Sequence, residues 1–260
     1  MIIDGSWNSS RVTLVEICLE DLAGAAIAER AGADRIELCT NLAQGGTTPS
    51  LGTVSAVLDS VGTVGVQVLV RQRPGDFVYS ALEVEAMVRD VAAIGALARP
   101  AGVTVGFVLG ALTRDAAIDV PIMSRLLGAC PGGPVTFHRA FDLISDQQAA
   151  LELLVDLGVG RVLTAGGPGR ALEGIAGLAR LVSQADDRIS VLAAGGVRAD
   201  NVARIVRATG VSEVHLRAPA SANPASNLPS DLPSDLPSNS ASSLASTSIE
   251  VIRATIAALG

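Results

Sequence analysis

The sequence predicts an α/β fold, a TIM-like (β/α)8 barrel, and three observations lead to this prediction. Eight short apolar runs alternate with eight helical stretches, and the connections between them are short. The chain has 260 residues and is 49% hydrophobic, which suffices for one barrel-sized core. No G-x-G-x-x-G follows the first strand, which disfavours an open, doubly wound sheet.

The first elements show the pattern most clearly. The run VTLVEIC at 12–18 is continuously apolar apart from one glutamate, as expected of a parallel strand that is buried on both faces. The stretch LAGAAIAERAG at 22–32 is typical of a helix that ends at its glycine. The run DRIELC at 34–39 then predicts the second strand.

The same alternation continues to the end of the chain. Further strands are predicted at 64–71, 102–109, 134–139, 160–164, 188–194 and 212–217. Further helices are predicted at 51–60, 80–98, 120–129, 145–157, 170–184, 199–208 and 247–259. Ser50 and Ser80 precede two of these helices, and each is a predicted N-cap.

One segment departs from the alternation. Residues 219–248 are rich in Ser, Pro, Asn and Asp, and they contain the repeat LPSDLPSDLPSN at 228–239. Such a composition buries too little apolar surface to offset the entropy of ordering. We therefore predict one barrel domain over 1–260, with a disordered insertion between its eighth strand and its last helix.

The charged residues exclude several classes of partner and chemistry. The formal net charge is −7 and no basic block occurs, so neither nucleic acid nor an anionic membrane surface is expected as a partner. All 19 basic residues are arginine. A chain without lysine cannot form a lysine Schiff base, which excludes any lysine-linked cofactor.

The sequence also predicts a cytoplasmic protein. The first residues lack a basic stretch followed by an apolar run, and the most apolar region, 91–112, is interrupted by Arg99, Pro100 and Gly102. Neither a signal peptide nor a membrane span is therefore expected. The chain has three cysteines, an odd number, which favours reduced thiols in a cytoplasm.

Polar residues recur near the C-terminal ends of the predicted strands, where barrels of this kind carry their active sites. Alternate residues of a strand share a face, so Glu16 with Cys18, and Glu37 with Cys39, are predicted to face the barrel interior. The same parity assigns further residues to the interior: Gln67, Arg71, His138, Thr164, Glu213, His215 and Arg217. Arg73 follows in the loop beyond the third strand.

His138 lies in VTFHRAFD at 135–142 and is one of only two histidines. A lone histidine in a strand is more often a core residue with a satisfied hydrogen bond. Here several strands place polar residues at the same level, and this repetition favours a functional His138.

These residues suggest an enzyme. Glu16, Glu37, His138 and His215 can exchange protons, while Arg71 and Arg73 supply fixed positive charge. This set would suit an isomerase or lyase acting on a small phosphorylated or carboxylated metabolite. The structural alternative is that Glu–Arg pairs tie the strands together inside the barrel, and Glu37–Arg71 is the pair most expected.

Two further ligand contacts are predicted at the same end of the barrel. Thr164 is expected to contribute a hydroxyl from the sixth strand. Gly195 and Gly196, in AAGGVRADN at 193–201, could bind phosphate through backbone N–H groups, although glycines here equally serve a tight turn.

Several motifs together resemble one known family. GADRIELC (32–39), GGTTPSLG (45–52), RQRPGDFVYS (71–80), VTFHRAFD (135–142) and RVLTAGG (161–167) are similar to segments of the CutC family of copper homeostasis proteins. The resemblance continues through GGVRADN (195–201) and EVH (213–215). It implies a TIM-like barrel, usually cytoplasmic and a homo-oligomer (a dimer or tetramer is expected), associated with copper tolerance and in some members with Cu(I) binding.

The two cysteines at strand ends make a copper site plausible. Cys18 and Cys39 end neighbouring strands, which lie about 4.8 Å apart, and thiolates prefer soft ions such as Cu(I). The resemblance implies that these two cysteines are the copper ligands. Against this, the stagger of a barrel could separate the sulfurs, and no C-x-x-C occurs. Cys130 is expected to be structural.

Overall fold

A computed structural model of the protein describes residues 13–220 and 246–260. Eight parallel strands follow one another around a closed barrel, and the first strand pairs with the last. A helix follows each strand in the chain. The predicted TIM-like (β/α)8 barrel is confirmed.

The strands are short, as a tightly closed barrel requires. They are β1 (Leu14–Leu19), β2 (Arg35–Leu38), β3 (Gly65–Leu69), β4 (Val105–Leu109), β5 (Val135–Phe137), β6 (Arg161–Thr164), β7 (Ser190–Ala193) and β8 (Glu213–Arg217). The helices are α1 (Leu22–Ala31), α2 (Leu51–Ser60), α3 (Ala81–Gly95), α4 (Val120–Ala129), α5 (Gln147–Asp156), α6 (Ile175–Ala185), α7 (Val202–Thr209) and α8 (Ile249–Ala257). Two short 3-10 helices cover Leu42–Gln44 and Arg139–Leu143.

Helix α6 begins five residues later than predicted, because the segment before it forms a turn. The backbone N–H of Arg170 donates to the side chain of Glu173, 3.2 Å away. Gly174 then packs so closely on the carbonyl of Ala165 that a Cβ would collide with it. The short helix Arg139–Leu143 was not predicted either, and the predicted strand 134–139 overlaps its first residue.

Both predicted N-caps are confirmed. The Ser50 hydroxyl accepts a hydrogen bond from the backbone N–H of Thr53, 3.1 Å away. Ser80 accepts from the N–H of Glu83, whose carboxylate accepts in return from the N–H of Ser80. These contacts satisfy N–H groups that a helix start would otherwise leave unpaired.

The main hydrophobic core lies between the barrel and the helices. Residues of one parity on each strand, such as Val15 and Ile17 of β1, are fully buried there against apolar helix residues. The opposite parity faces the interior and carries mostly polar residues, with two small apolar clusters among them. The polar residues predicted to face inward are therefore set apart from the main core.

The predicted insertion, 219–248, lies largely outside the described residues, and both its disorder and the single-domain assignment stay predictions. Its two ends are described and they meet. Pro219 and Thr247 form an isolated antiparallel bridge, and the N–H of Ala220 donates to the carbonyl of Ser246, 2.7 Å away. Among the described residues, no helix combines the length and apolar character needed to cross a bilayer.

Two helix glycines provide a matched test of packing between α6 and the barrel. A Cβ on Gly177 in α6 would collide with the carbonyl of Gly166, whereas Gly128 in α4 has no atom within 4 Å of that position. Gly177→Ala should lower the free energy of unfolding by about 1–3 kcal/mol through overpacking. Gly128→Ala should raise it by up to about 1 kcal/mol through helix propensity. Urea unfolding measures both, and equal effects would contradict the close packing at Gly177.

Candidate metal centre

A cavity of about 150 Å³ opens at the C-terminal end of the barrel. Six of the residues predicted to face inward lie on its wall, which confirms their position. The lining residues are Cys18, Glu37, Cys39, Leu42, Gly45, Leu69, Arg71, Phe77, His138, Arg139, Ala140, Leu163 and His215.

The two cysteines meet at one side of this cavity. Their sulfur atoms are 3.9 Å apart, and both side chains are buried. Strand register brings them together, because Cys18 of β1 lies opposite Glu37 of β2, two residues before Cys39. The stagger of the barrel therefore does not separate them. One ligand atom each from Cys18, Glu37 and Cys39 lies within 4.8 Å of the other two.

The two thiols differ in their affinity for protons. A hydrogen bond from the Cys39 thiol lowers the pKa of Cys18 to about 5, against the opposing effect of burial and with help from His215. The same hydrogen bond, together with burial, raises the pKa of Cys39 well above its usual value. At neutral pH the pair is therefore one thiolate and one thiol that share a proton.

His215 of β8 connects this pair to the barrel interior. Its Nδ1 is 2.7 Å from Glu16 Oε1, and its Nε2 is 3.5 Å from Glu37 Oε2. Burial opposes a charged imidazole, but hydrogen bonds to Cys18 and Glu16 outweigh it and raise the pKa of His215. The imidazolium thus lies between the Cys18 thiolate and the Glu16 carboxylate.

The two glutamates beside His215 have opposite protonation. Burial raises the pKa of Glu37, and the negative charge of Cys18 raises it further. Burial acts in the same direction on Glu16, yet Arg35 and His215 overcome it and hold the pKa of Glu16 well below its usual range. Glu37 is therefore a neutral acid at the cavity wall, while Glu16 is a carboxylate enclosed beneath it.

A charged network lies below the cavity. Arg35 of β2 is paired with Glu16 and, at 2.5 Å, with Glu213 of β8. Arg161 of β6 donates to Glu213 at 2.7 Å and to the hydroxyl of Thr136 at 3.1 Å. The structural alternative is thus correct for Glu16 and Glu213, whose pairs tie the strands together. Sequence analysis missed Arg35 and Arg161, although Arg35 has the same parity as Glu37.

The predicted Glu37–Arg71 pair is wrong. Arg71 lies two residues beyond β3, and its guanidinium donates instead to the carbonyls of Gly46 and Gly75, at 2.9 and 2.7 Å. It also lies over the ring of Phe77, 4.7 Å from its centre. Arg71 extends toward the loops around the mouth, whereas Glu37 lies within β2 beside His215.

His138 lines the cavity and is 95% buried, with 5% of its surface exposed. Its Nδ1 accepts a hydrogen bond from the backbone N–H of Ala140, 3.2 Å away, and its Nε2 has no hydrogen-bond partner among residues 13–220 and 246–260. Burial, and then the positive charge of Arg71, lowers the pKa of His138 to about 3. The ring is therefore neutral.

Four predicted site residues lie away from the cavity. Arg73 is bound to Asp76 at 3.0 Å and to Glu83 at 2.5 Å. Gly195 and Gly196 have φ angles of 93° and 76° and form the turn after β7. Thr164 does not face inward as predicted, because Leu163 lines the cavity and its neighbour must face the helices. Its hydroxyl donates to Asp142.

The geometry can be compared with known proteins. A family model described as the CutC family matches residues 13–220. The chain belongs to the CutC family. A CutC family protein of Mesorhizobium japonicum is 47% identical over 216 residues, 83% of this chain and 81% of that protein. A human copper homeostasis protein cutC homolog is 45% identical over 217 residues, 84% of this chain and 77% of that protein.

A solved CutC structure supports the same relationship. The copper homeostasis protein CutC of Streptococcus agalactiae is 38% identical, with a TM-score of 0.72, over 78% of this chain and 97% of that one. The resemblance seen in the sequence motifs is therefore confirmed. The match to the family model ends at residue 220, two residues into the predicted insertion.

The low pKa of Cys18 can be measured directly. Because the pKa is depressed to about 5, the thiolate should be present above that pH and lost as the pH falls through it. Titration of the thiolate ultraviolet absorbance should show this transition, and Cys18→Ser should remove it. Cys130→Ser is the control, since burial raises the pKa of Cys130 to about 11. A first transition above about pH 8, the region of an unperturbed thiol, would contradict the assignment.

Arg35 should be essential to stability. Arg35→Met leaves Glu16 and Glu213 with one buried cation fewer, so the free energy of unfolding should fall by about 3–5 kcal/mol. Arg89→Met is the control, because Arg89 forms an exposed pair with Glu85 across one turn of α3, and its loss should cost about 0.3–0.5 kcal/mol. Urea unfolding of both variants would refute this account if the two losses were alike.

Proposed function

We propose that this CutC-family protein binds Cu(I) between Cys18 and Cys39 as its cargo in copper homeostasis. The observation that carries the proposal is the 3.9 Å separation of the two sulfurs. A metal ion bonded to two thiolates at about 2.3 Å each can bridge sulfurs no more than about 4.6 Å apart. The pair therefore lies within reach of a single ion, and thiolates favour a soft one.

The surrounding charges favour a monovalent ion. Glu16 and Glu213 are balanced by Arg35 and Arg161. One Cu(I) ion with two thiolates carries one net negative charge, which the imidazolium of His215 would offset. A divalent ion with the same thiolates would be neutral, and the set formed by Glu16, Glu213, Arg35, Arg161 and His215 would then carry one positive charge in excess.

The donor set also favours copper over zinc. Structural zinc sites are closed by four ligands, whereas the described residues bring only Cys18, Glu37 and Cys39 together here. Burial raises the pKa of Glu37, so its carboxyl gives up a proton less readily than an ordinary carboxylate and is a weaker ligand for either ion. Cu(I) bound by the two sulfurs alone needs no third ligand, and its binding would release the proton that Cys18 and Cys39 share.

The enzyme alternative is not favoured. Of the four groups expected to exchange protons, Glu16 is enclosed below the cavity, and Arg73, which was expected to hold the anion, is paired with Glu83. Bound thiolates require a reducing compartment, so we further propose that the protein works in the cytoplasm. The homo-oligomer stays a prediction.

A competition experiment tests the copper proposal. Cu(I) binding, measured against a Cu(I) chelator under reducing conditions, should weaken at least about 100-fold in Cys18→Ser and in Cys39→Ser, since each removes one of two ligands. Cys130→Ser should bind as the unmodified chain does, because Cys130 lies outside the cavity. Affinities within twofold of each other in all four proteins would overturn the proposal.

A further inference from the structure

The guanidinium of Arg71 is a buried cation without an acidic partner. Only 5% of its surface is exposed, and no carboxylate of the described residues lies within ion-pair distance. Both Nη atoms donate to backbone carbonyls, and Nε has no hydrogen-bond acceptor within the described part of the chain, although the Tyr79 hydroxyl lies near the guanidinium. Arg35, which is equally buried, instead faces two carboxylates. A buried charge is costly unless an opposite charge compensates it, so Arg71 is arranged to receive an anion.

His138 offers a second unused donor on the same wall. The N–H of Ala140 donates to Nδ1, so that nitrogen carries the lone pair and not the proton. In a neutral imidazole the proton then resides on Nε2, which has no hydrogen-bond partner. Two buried N–H donors, one charged and one neutral, thus lack acceptors among the described residues, and both belong to residues that line one cavity.

The cavity around these donors is mostly apolar. The ring of Phe77 contacts both residues. Its centre lies 4.7 Å from the guanidinium carbon of Arg71 and 4.7 Å from the centre of the His138 ring. Leu69 and Leu163 complete the wall. Gly110 has no side chain and so leaves room for the His138 ring. A Cβ at this position would collide with that ring. A cavity of about 150 Å³ in another protein accommodates benzene, so a ligand of about six non-hydrogen atoms fits.

We propose that this cavity binds a short-chain monocarboxylate beside the cysteine pair. Its carboxylate accepts hydrogen bonds from Arg71 Nε–H and His138 Nε2–H, and its apolar body packs on Leu69, Phe77 and Leu163. One cation offsets one negative charge, so a dianion would bury a second charge against an apolar wall. The inference does not rest on copper binding, because neither Arg71 nor His138 is one of the proposed metal ligands.

The probe is butyrate, which has six non-hydrogen atoms, and its neutral counterpart is butyramide. Both are titrated by calorimetry into the copper-free full-length protein, with ¹⁵N spectra of the Arg71 Nε–H and His138 Nε2–H groups. Butyrate should bind and move both signals, while butyramide should bind at least tenfold more weakly, about 1.4 kcal/mol. Equal binding of the two, movement of neither signal, or equal binding of inorganic phosphate would overturn the proposal.

Variants separate this site from the metal centre. Arg71→Met should weaken butyrate at least tenfold, whereas Arg73→Met, which removes a neighbouring arginine outside the cavity, should leave it unchanged. The double variant Cys18→Ser/Cys39→Ser should lose Cu(I) and keep butyrate, so either proposal can fail alone. Undiminished binding in a folded Arg71→Met would overturn the carboxylate site. If that variant does not fold, the spectra of the unmodified protein decide.

Discussion

The buried guanidinium of Arg35 is the constraint on which the interior of this barrel depends. It lies on β2 and joins Glu16 of β1 to Glu213 of β8, so it bridges the seam at which the barrel closes. Removing three charges from water is unfavourable, and only their mutual pairing makes it tolerable. These pairs hold the side chains of the cavity in place. Arg35 fixes Glu16, which accepts a hydrogen bond from His215, and His215 lies beside Cys18.

The cavity wall carries two chemically different sets of groups. One set consists of soft sulfur donors whose thiolate is stabilised by an imidazolium, and the other consists of N–H donors that lack acceptors among the described residues. The first set suits a soft cation and the second suits an anion. Because both sets belong to one cavity, occupation of either site changes the electric field felt by the other.

Membership of the CutC family accounts for the barrel, but it does not account for the segment predicted to be an insertion. The family match ends at residue 220, within the insertion predicted from composition. The Pro219–Thr247 bridge joins the two described ends of that segment, and Thr247 is also bound to Asp21 at the start of α1. The last helix, α8, therefore begins from a position that the barrel itself fixes, whatever the length of chain between the two ends.

The sequence by itself determined the barrel and much of the cavity wall. Strand periodicity of two and helix periodicity of 3.6 are local properties, so parity alone placed Glu37, Cys39, His138 and His215 correctly. Parity failed at Thr164, where the strand phase was misjudged by one residue. Strand parity could not decide which charged side chains form pairs. By the sequence pattern alone, Arg71 and Arg35 could each pair with a glutamate on a neighbouring strand. Only the register between strands settles that Arg35 pairs with Glu16 and that two sulfurs 21 residues apart in the chain lie in contact. The same register leaves Arg71 without a carboxylate partner in the described part of the chain. These distances depend on how the barrel closes.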